Sequence, residues 1–542
     1  MQLSDRTVFA IALSVAAGGA AAQSDPGLFG NVYNIGTATP GSIFDIVDDD
    51  IRGVLTTGTQ VGDGDFLEYE AFISPTFLGG DILGPSSQLN LFNGGEILRF
   101  FSAGPRDGFT GPTEVNVFGG AFGGAFNAGN LSTINIFSGA SIGNGYNALS
   151  GSETNISGGN VGVFFEAFSG SRVNISGGTF GASFRAYSGS AVNISGGDFQ
   201  VNGSASTDVS GGGLFTGVLE DGTVFIFEGG SFGGTTTLDT VSVAPSTNPG
   251  VLSSGAFSKG VRSGESLTVT ESGRLTDNFA VVGGTLNIEG GIVGDTLEVA
   301  FSEVNISGGV VGNFLDAYSS TVNVSGGTVG FDLDANSGST VNISAGFVDG
   351  VSANAGSTVN ISGGVVESVG AFTNSTVNIS GGVVGETSFL TDAGSTVNIS
   401  GGMIQPGFSA GSDGIVNISG GVIGDDFQTF DSEINVSGGT FGDVFINFGT
   451  RFNLFGTEFF VDGVELTDLQ LDRPFIIDQR GVTLSGILAD GSAFEFDVTD
   501  NFFSSTDFFA SSTIVTVTLV PAPTAAGVIA LAGIAAAGRR RG

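Results

Sequence analysis

Five acidic side chains recur at one place in a repeating pattern. Asp295, Asp332, Glu386, Asp425 and Asp443 each lie eight or nine residues beyond an asparagine of the repeat. If successive copies stack, their carboxylates come within about 5 Å of one another and repel unless solvated, protonated or bridged by a cation such as calcium. A solvated acidic edge is the simpler reading, and no GGxGxD nonapeptide of the calcium-binding type is present. Calcium is therefore an optional ligand, and no cofactor is required. Asp332 with Asp334 also makes a carboxylate pair of the kind glycoside hydrolysis uses. With 53 acids in the chain, such pairs arise freely.

Other catalytic chemistry is thinly supplied. There is no His for acid–base work and no Cys nucleophile. The cations of the repeat region are few: Arg99, Arg106, Arg172, Arg185, Lys259, Arg262, Arg274 and Arg451. The expectation is a protein that is not an enzyme. A polysaccharide lyase or hydrolase is the alternative, with residues 200–265, where the repeat is disturbed, as the place to look. A fold that permits such activity does not imply it.

The asparagines carry a second chemistry. They run Asn116, Asn135, Asn155, Asn174 and Asn193, then Asn287, Asn305, Asn323, Asn342, Asn360, Asn378, Asn398, Asn417, Asn435 and Asn453, at spacings of 18 to 20 within each run. Asparagines stacked at strand spacing can form an amide ladder, each bonding the copy above and below. Asn-Ile-Ser also matches a glycosylation acceptor, but inside a strand the structural role is favoured. The whole Thr-x-Asn-x-Ser face, repeated, is a flat grid of hydroxyls and amides. Such a grid suits glycan contact, with ice binding as a minor alternative weakened by Asn in the central row.

The elements that position these residues follow from the period. Self-similarity at this length marks a solenoid whose coils bury their apolar faces by stacking. In Thr321-Val322-Asn323-Val324-Ser325 apolar and polar residues alternate, which is the period of a strand. Gly326-Gly327 then turns a corner. A second inward element follows at Val329, and a third is exemplified by Phe314-Leu315 and Phe389-Leu390. Three short strands and three corners make an all-β parallel β-helix of 18–20-residue coils. Stepping six residues on from Val304 and Val310 lands on Asp316, which breaks the hexad rule of left-handed forms and favours the right-handed one. Roughly nineteen coils at about 4.8 Å rise give a rod on the order of 90 Å.

Composition agrees. The chain has 95 Gly and 49 Phe but 12 Pro and no Trp, which suits tight corners around a narrow core. Its net charge of −38 becomes −41 once both terminal segments are removed. A surface this acidic repels nucleic acid and anionic lipid.

Both ends read as addresses. Residues 1–22 form a signal peptide, with an apolar run from Ile11 to Ala17 and small residues Ala20-Ala21-Ala22 before Gln23. At the far end Val520-Pro521-Ala522-Pro523 precedes a short apolar run and Arg539-Arg540-Arg541. The run is short for a bilayer span, and the arginines fit a cytoplasmic stop. This arrangement resembles, in a Val-Pro-Ala-Pro variant, the PEP-CTERM sorting signal of Gram-negative bacteria that make exopolysaccharide. The resemblance covers the last 23 residues, 520–542, and implies processing by an exosortase-like enzyme, with the membrane met only through this segment.

Between these ends lie an N-terminal cap at 23–85, a first solenoid block at 86–235, an irregular seam at 236–265, a second block at 266–457 and a C-terminal β cap at 458–519. The cap includes a hairpin over 484–498 that turns at Asp490-Gly491. The coils are similar in period and architecture to those of filamentous-haemagglutinin-type adhesins. Together these features lead us to expect an exported, surface-associated or matrix-incorporated structural or adhesive solenoid that contacts extracellular polysaccharide.

Overall fold

A computed structural model describes residues 101–104 and 112–521, apart from 207, 210–211, 229–231, 337, 393, 412 and 502–506. Between residues 31 and 97 it describes short segments, mostly strand. The expected signal peptide at 1–22, most of the expected N-terminal cap at 23–85 and residues 522–542 lie outside the described residues. The described part is all β, with parallel coils of about 19 residues stacked into a β-solenoid of about 17 turns. That is slightly fewer than the period suggested, because antiparallel strands and loops occupy part of the middle of the chain.

Two compact units are present. The first holds residues 1–178, 183–195 and 230–239; the second holds 179–182, 196–229 and 240–542. In the first unit, Ser87–Leu91, Thr113–Val117, Ser132–Ile136 and the start of Glu153–Val161 pair in parallel, with asparagine set over asparagine. Alternation sends Val115, Val117, Ile134, Ile136 and Ile156 inward, where they are almost wholly buried. Aromatic rings fill another side of these coils. Phe126, Tyr146, Phe165 and Phe184 stack at centroid separations of 5.0, 4.8 and 5.1 Å, one ring per coil.

The second unit is aliphatic where its coils are most regular. A coil there is Glu303–Ile306, Val310–Val311 and Leu315–Tyr318, which sends Val304, Ile306, Val311, Leu315 and Ala317 into the core. Each large side chain among them contributes roughly 1.5–3 kcal/mol by leaving water. Register is in line from coil to coil, Asn287 over Asn305 over Asn323 over Asn342. Variation in coil length is absorbed at corners. In the 20-residue coil, Val366 pairs with Val384 but Ser368 with Ser388, so the two additional residues make an irregularity within Val383–Thr391. The Gly-Gly corner is obligatory for a steric reason visible at Gly327. Its φ is +77°, and an added Cβ would lie 2.8 Å from the Gly308 backbone one coil below.

The last coil is closed by Val482–Leu488 and Ala493–Val498, an antiparallel hairpin, and by Ile514–Leu519, which pairs in parallel with Arg451–Val461. Phe494 and Phe496 extend the core beyond the last coil, and the strand edge that would otherwise invite association is paired. The Asp490 carboxylate accepts the Gly439 N–H at 3.0 Å and fastens the hairpin turn to a coil corner.

Candidate functional site

The asparagine column is a continuous hydrogen-bonded ladder in each unit. In the second unit the Nδ2 of Asn305 donates to the Oδ1 of Asn287, and the pattern passes through Asn323, Asn342, Asn360, Asn378, Asn398, Asn417 and Asn435 to Asn453 at 2.8–3.1 Å. Asn116 to Asn193 do the same in the first unit at 2.7–2.9 Å. Both ends of the second ladder are terminated by threonine. Asn287 donates to Thr268 at 3.5 Å, and Thr516 of the cap donates to Asn453 Oδ1 at 2.8 Å. Each amide inside the ladder spends one donor and one acceptor on its neighbours; Asn116, Asn174 and Asn435 give their second donor to Glu114, Glu153 and Glu433, and the others keep it for solvent or ligand. The serine row is less free than its sequence pattern suggests. Ser325, Ser362, Ser400 and Ser419 turn their hydroxyl protons onto carbonyls of the coil below at 3.3 Å.

Past the Gly-Gly corner runs a second, mostly apolar row. Register lines up Ile292, Val310, Thr328, Phe347, Val365, Val383, Met403 and Val422 on successive coils, all on the outer face. Ile292, Val310, Met403 and Val422 are 45–48% exposed. Contiguous exposed apolar surface is a feature of interaction sites in general.

The acidic corners have a structural use. Asp277 Oδ1 accepts the Asp295 N–H, and Asp295 Oδ1 accepts the N–H of Asn313. Asp425 similarly receives the Asp443 N–H at 3.3 Å. These carboxylates sit over glycines, and a Cβ on Gly312 would meet Asp295 Oδ1 at 2.4 Å. Asp443 is half-buried, and burial followed by repulsion from Asp425 and Asp426 raises its pKa. Asp332 occupies a left-handed corner at φ +61°, and burial raises its pKa too. The Glu386 side chain lies outside those described. Among the described residues no three acids converge closely enough to hold a metal ion.

A different acidic column was not singled out by the pattern. Antiparallel strands Phe215–Leu219 and Val224–Phe227 form a hairpin whose second strand lies on the outside of the coils. There Val224 and Ile226 pack against Ala280, Val282, Ala300 and Tyr318, which alternate with inward-facing core residues. In line with these outward positions stand Glu298, Asp316 and Asp334, on adjacent strands. Glu298 is 3% exposed and makes no hydrogen bond, while Tyr318 donates to Glu228 at the end of the hairpin. Burial, then repulsion from Asp316 and Glu228, pushes the Glu298 pKa far up. Burial and the carboxylates of Asp334, Glu228 and Asp332 push Asp316 to about 7. Asp334 is also raised, chiefly by burial, although Ser352 and Asn354 hydrogen-bond to it. Of these acids the sequence pointed only to Asp332 and Asp334. Glu298 and Asp316 were hidden because the hairpin that covers them, Val224–Phe227, is far removed in sequence.

No family model, curated protein or solved structure matches this chain. Among the described residues no helix is long and apolar enough to cross a membrane. Pro521 is exposed; Pro523, Arg539, Arg540 and Arg541 lie outside the described residues.

Proposed function

We propose that this protein is an exported β-solenoid strut, held at the cell surface or in the extracellular matrix, whose coils contact polysaccharide. The observation that carries the reading is the pair of parallel rows on the second unit. One is an amide ladder most of whose members keep a spare donor and acceptor; the other is a mostly apolar outward row, in register from coil to coil, past the Gly-Gly corner. An extended sugar polymer offers hydroxyl edges and apolar C–H faces at a comparable repeat, and successive coils present matching groups at about 4.8 Å. The sorting-signal resemblance supports the route and an exosortase-like processing partner. Calcium is optional in this reading, and nucleic acid is excluded by charge.

One observation favours a second reading, polysaccharide hydrolysis. A protonated carboxyl beside an ionised one is what that reaction requires, and Asp316 and Asp334 are neighbours with unequal surroundings. A single experiment separates the readings. The purified protein is passed over immobilised polysaccharides with and without calcium, and both retention and release of reducing or unsaturated ends are scored. Retention without product is expected. Replacing Val365, Val383 and Met403 together by serine should abolish it, whereas single acid-to-amide changes should not. Product that disappears in Asp316→Asn would transfer the assignment to the enzyme, and neither retention nor product would remove both readings.

A further inference from the structure

We infer that the second unit carries a pocket for a short neutral saccharide, separate from the long coil face. The inference rests on the polysaccharide-contact reading and adds a defined subsite to it. The strand Ala191–Val201 leaves the regular coil pattern at Gly196, where it begins to pair antiparallel with Phe215–Leu219. Their register breaks between Gly197 and Gln200, so Asp198 and Phe199 form a bulge, and Asp198 adopts φ +52°. Bulges of this kind re-aim side chains and gather at binding sites. Here the bulge borders a cavity of about 380 Å³ that also takes in the Arg262–Glu265 turn.

The polar lining is Asp198, Gln200, Arg262, Ser263 and Glu265. Two of these are fixed in advance. Arg262 Nη2 donates to the carbonyls of Gly222 and Ala244 at 2.9 and 2.8 Å, which orients the guanidinium and leaves its other N–H groups unspent. Glu265 Oε2 accepts from Asn248 and from the Arg262 N–H. Burial alone would raise the Glu265 pKa, but the bonds from Ser246, Asn248 and Arg262 outweigh it and keep the group ionised. Asp198 makes no hydrogen bond within the protein. Apolar walls come from Phe199, Val218, Val224 and Val282. Donors and acceptors interleaved with apolar surface complement a sugar, whose hydroxyls alternate with C–H patches. Two carboxylates in the lining disfavour an acidic sugar, and the volume suits one or two residues.

The test uses the full chain and neutral di- and trisaccharides of glucose, galactose and mannose, followed by saturation-transfer NMR and calorimetry. Retention on the intact polymers is measured on the same samples. At least one neutral oligosaccharide should bind. Ala205→Trp, at an exposed position on the rim, should weaken that binding by at least about tenfold, and Gln200→Ala by about tenfold. Polymer retention should be unchanged in both. Should the tryptophan variant fail to fold, Gln200→Ala and Asp198→Asn decide, since asparagine tolerates the left-handed backbone. Polymer retention without oligosaccharide binding, or oligosaccharide binding indifferent to all three changes, overturns the pocket and leaves the strut reading standing. Absence of both overturns the two together.

Discussion

Between Phe279 and Tyr318 one side of the coils is covered on its outer face as well as its inner one, with Asp316 at the margin, whereas from Leu333 to Thr429 the same side meets solvent outside. The inward residues are alike in the two regions. What differs is the hairpin Val224–Phe227 and its consequence for acids at the same register position. Asp334 stays half-exposed with serine and asparagine partners, while Glu298 is sealed without any. A solenoid position thus acquires its chemistry from what is laid over it rather than from the repeat.

The largest expected effect comes from removing that cover. Ile226→Asp places a charge among Ala280, Ala300 and Tyr318 and should cost about 4 kcal/mol or more locally. Hydrogen exchange over 215–227 should rise to the rate of an open segment, while the coils from Leu333 onward keep their protection. If both regions exchange together, the cover and the coils are one cooperative unit and the contrast fails.

Changing pH sharpens the same comparison. Glu298 and Asp316 hold their protons more tightly folded than unfolded, so their contribution is full below about pH 4, the ordinary carboxylate range. It is lost as pH rises, through about 7 for Asp316 and well above the ordinary carboxylate range for Glu298. The groups facing them, Glu228, Tyr318, Asp332 and Asp334, supply no positive charge. Protection of the hairpin should therefore fall at least about tenfold between pH 5 and 8. The double variant Glu298→Gln with Asp316→Asn should flatten that dependence.

Within the open coils, Asn360→Ala strands the Asn342 acceptor and the Asn378 donor and should destabilise by about 1–2 kcal/mol in denaturant unfolding. A comparable cost, about 1–3 kcal/mol, is expected for Gly312→Ala, whose Cβ would lie 2.8 Å from the Gly294 backbone and would displace the Asp295 carboxylate from the Asn313 N–H. Both should leave the hairpin's pH response unaltered.

Much of this was legible beforehand because a solenoid repeats its local rules. The asparagine period gave the ladder, and the Asp490-Gly491 turn gave the cap hairpin. The acidic corners were visible as residues but not as acceptors of the next coil's N–H, since that role depends on a glycine lying opposite. The seam was visible only as loss of pattern. Residues 196–227 supply an antiparallel insertion, within what the period had assigned to the first block, and nothing in their composition says where it folds back.

The sequence by itself determined the coil. Alternation selects inward and outward faces, Gly-Gly sets the corner, and a fixed period makes each asparagine meet its successor, all through contacts between neighbouring coils. Only the tertiary structure decided which outward residues became chemically unusual. Burial of Glu298 and Asp316 and the bulge at Asp198 come from segments distant in sequence. Desolvation is a property of the finished surface, which no local pattern encodes.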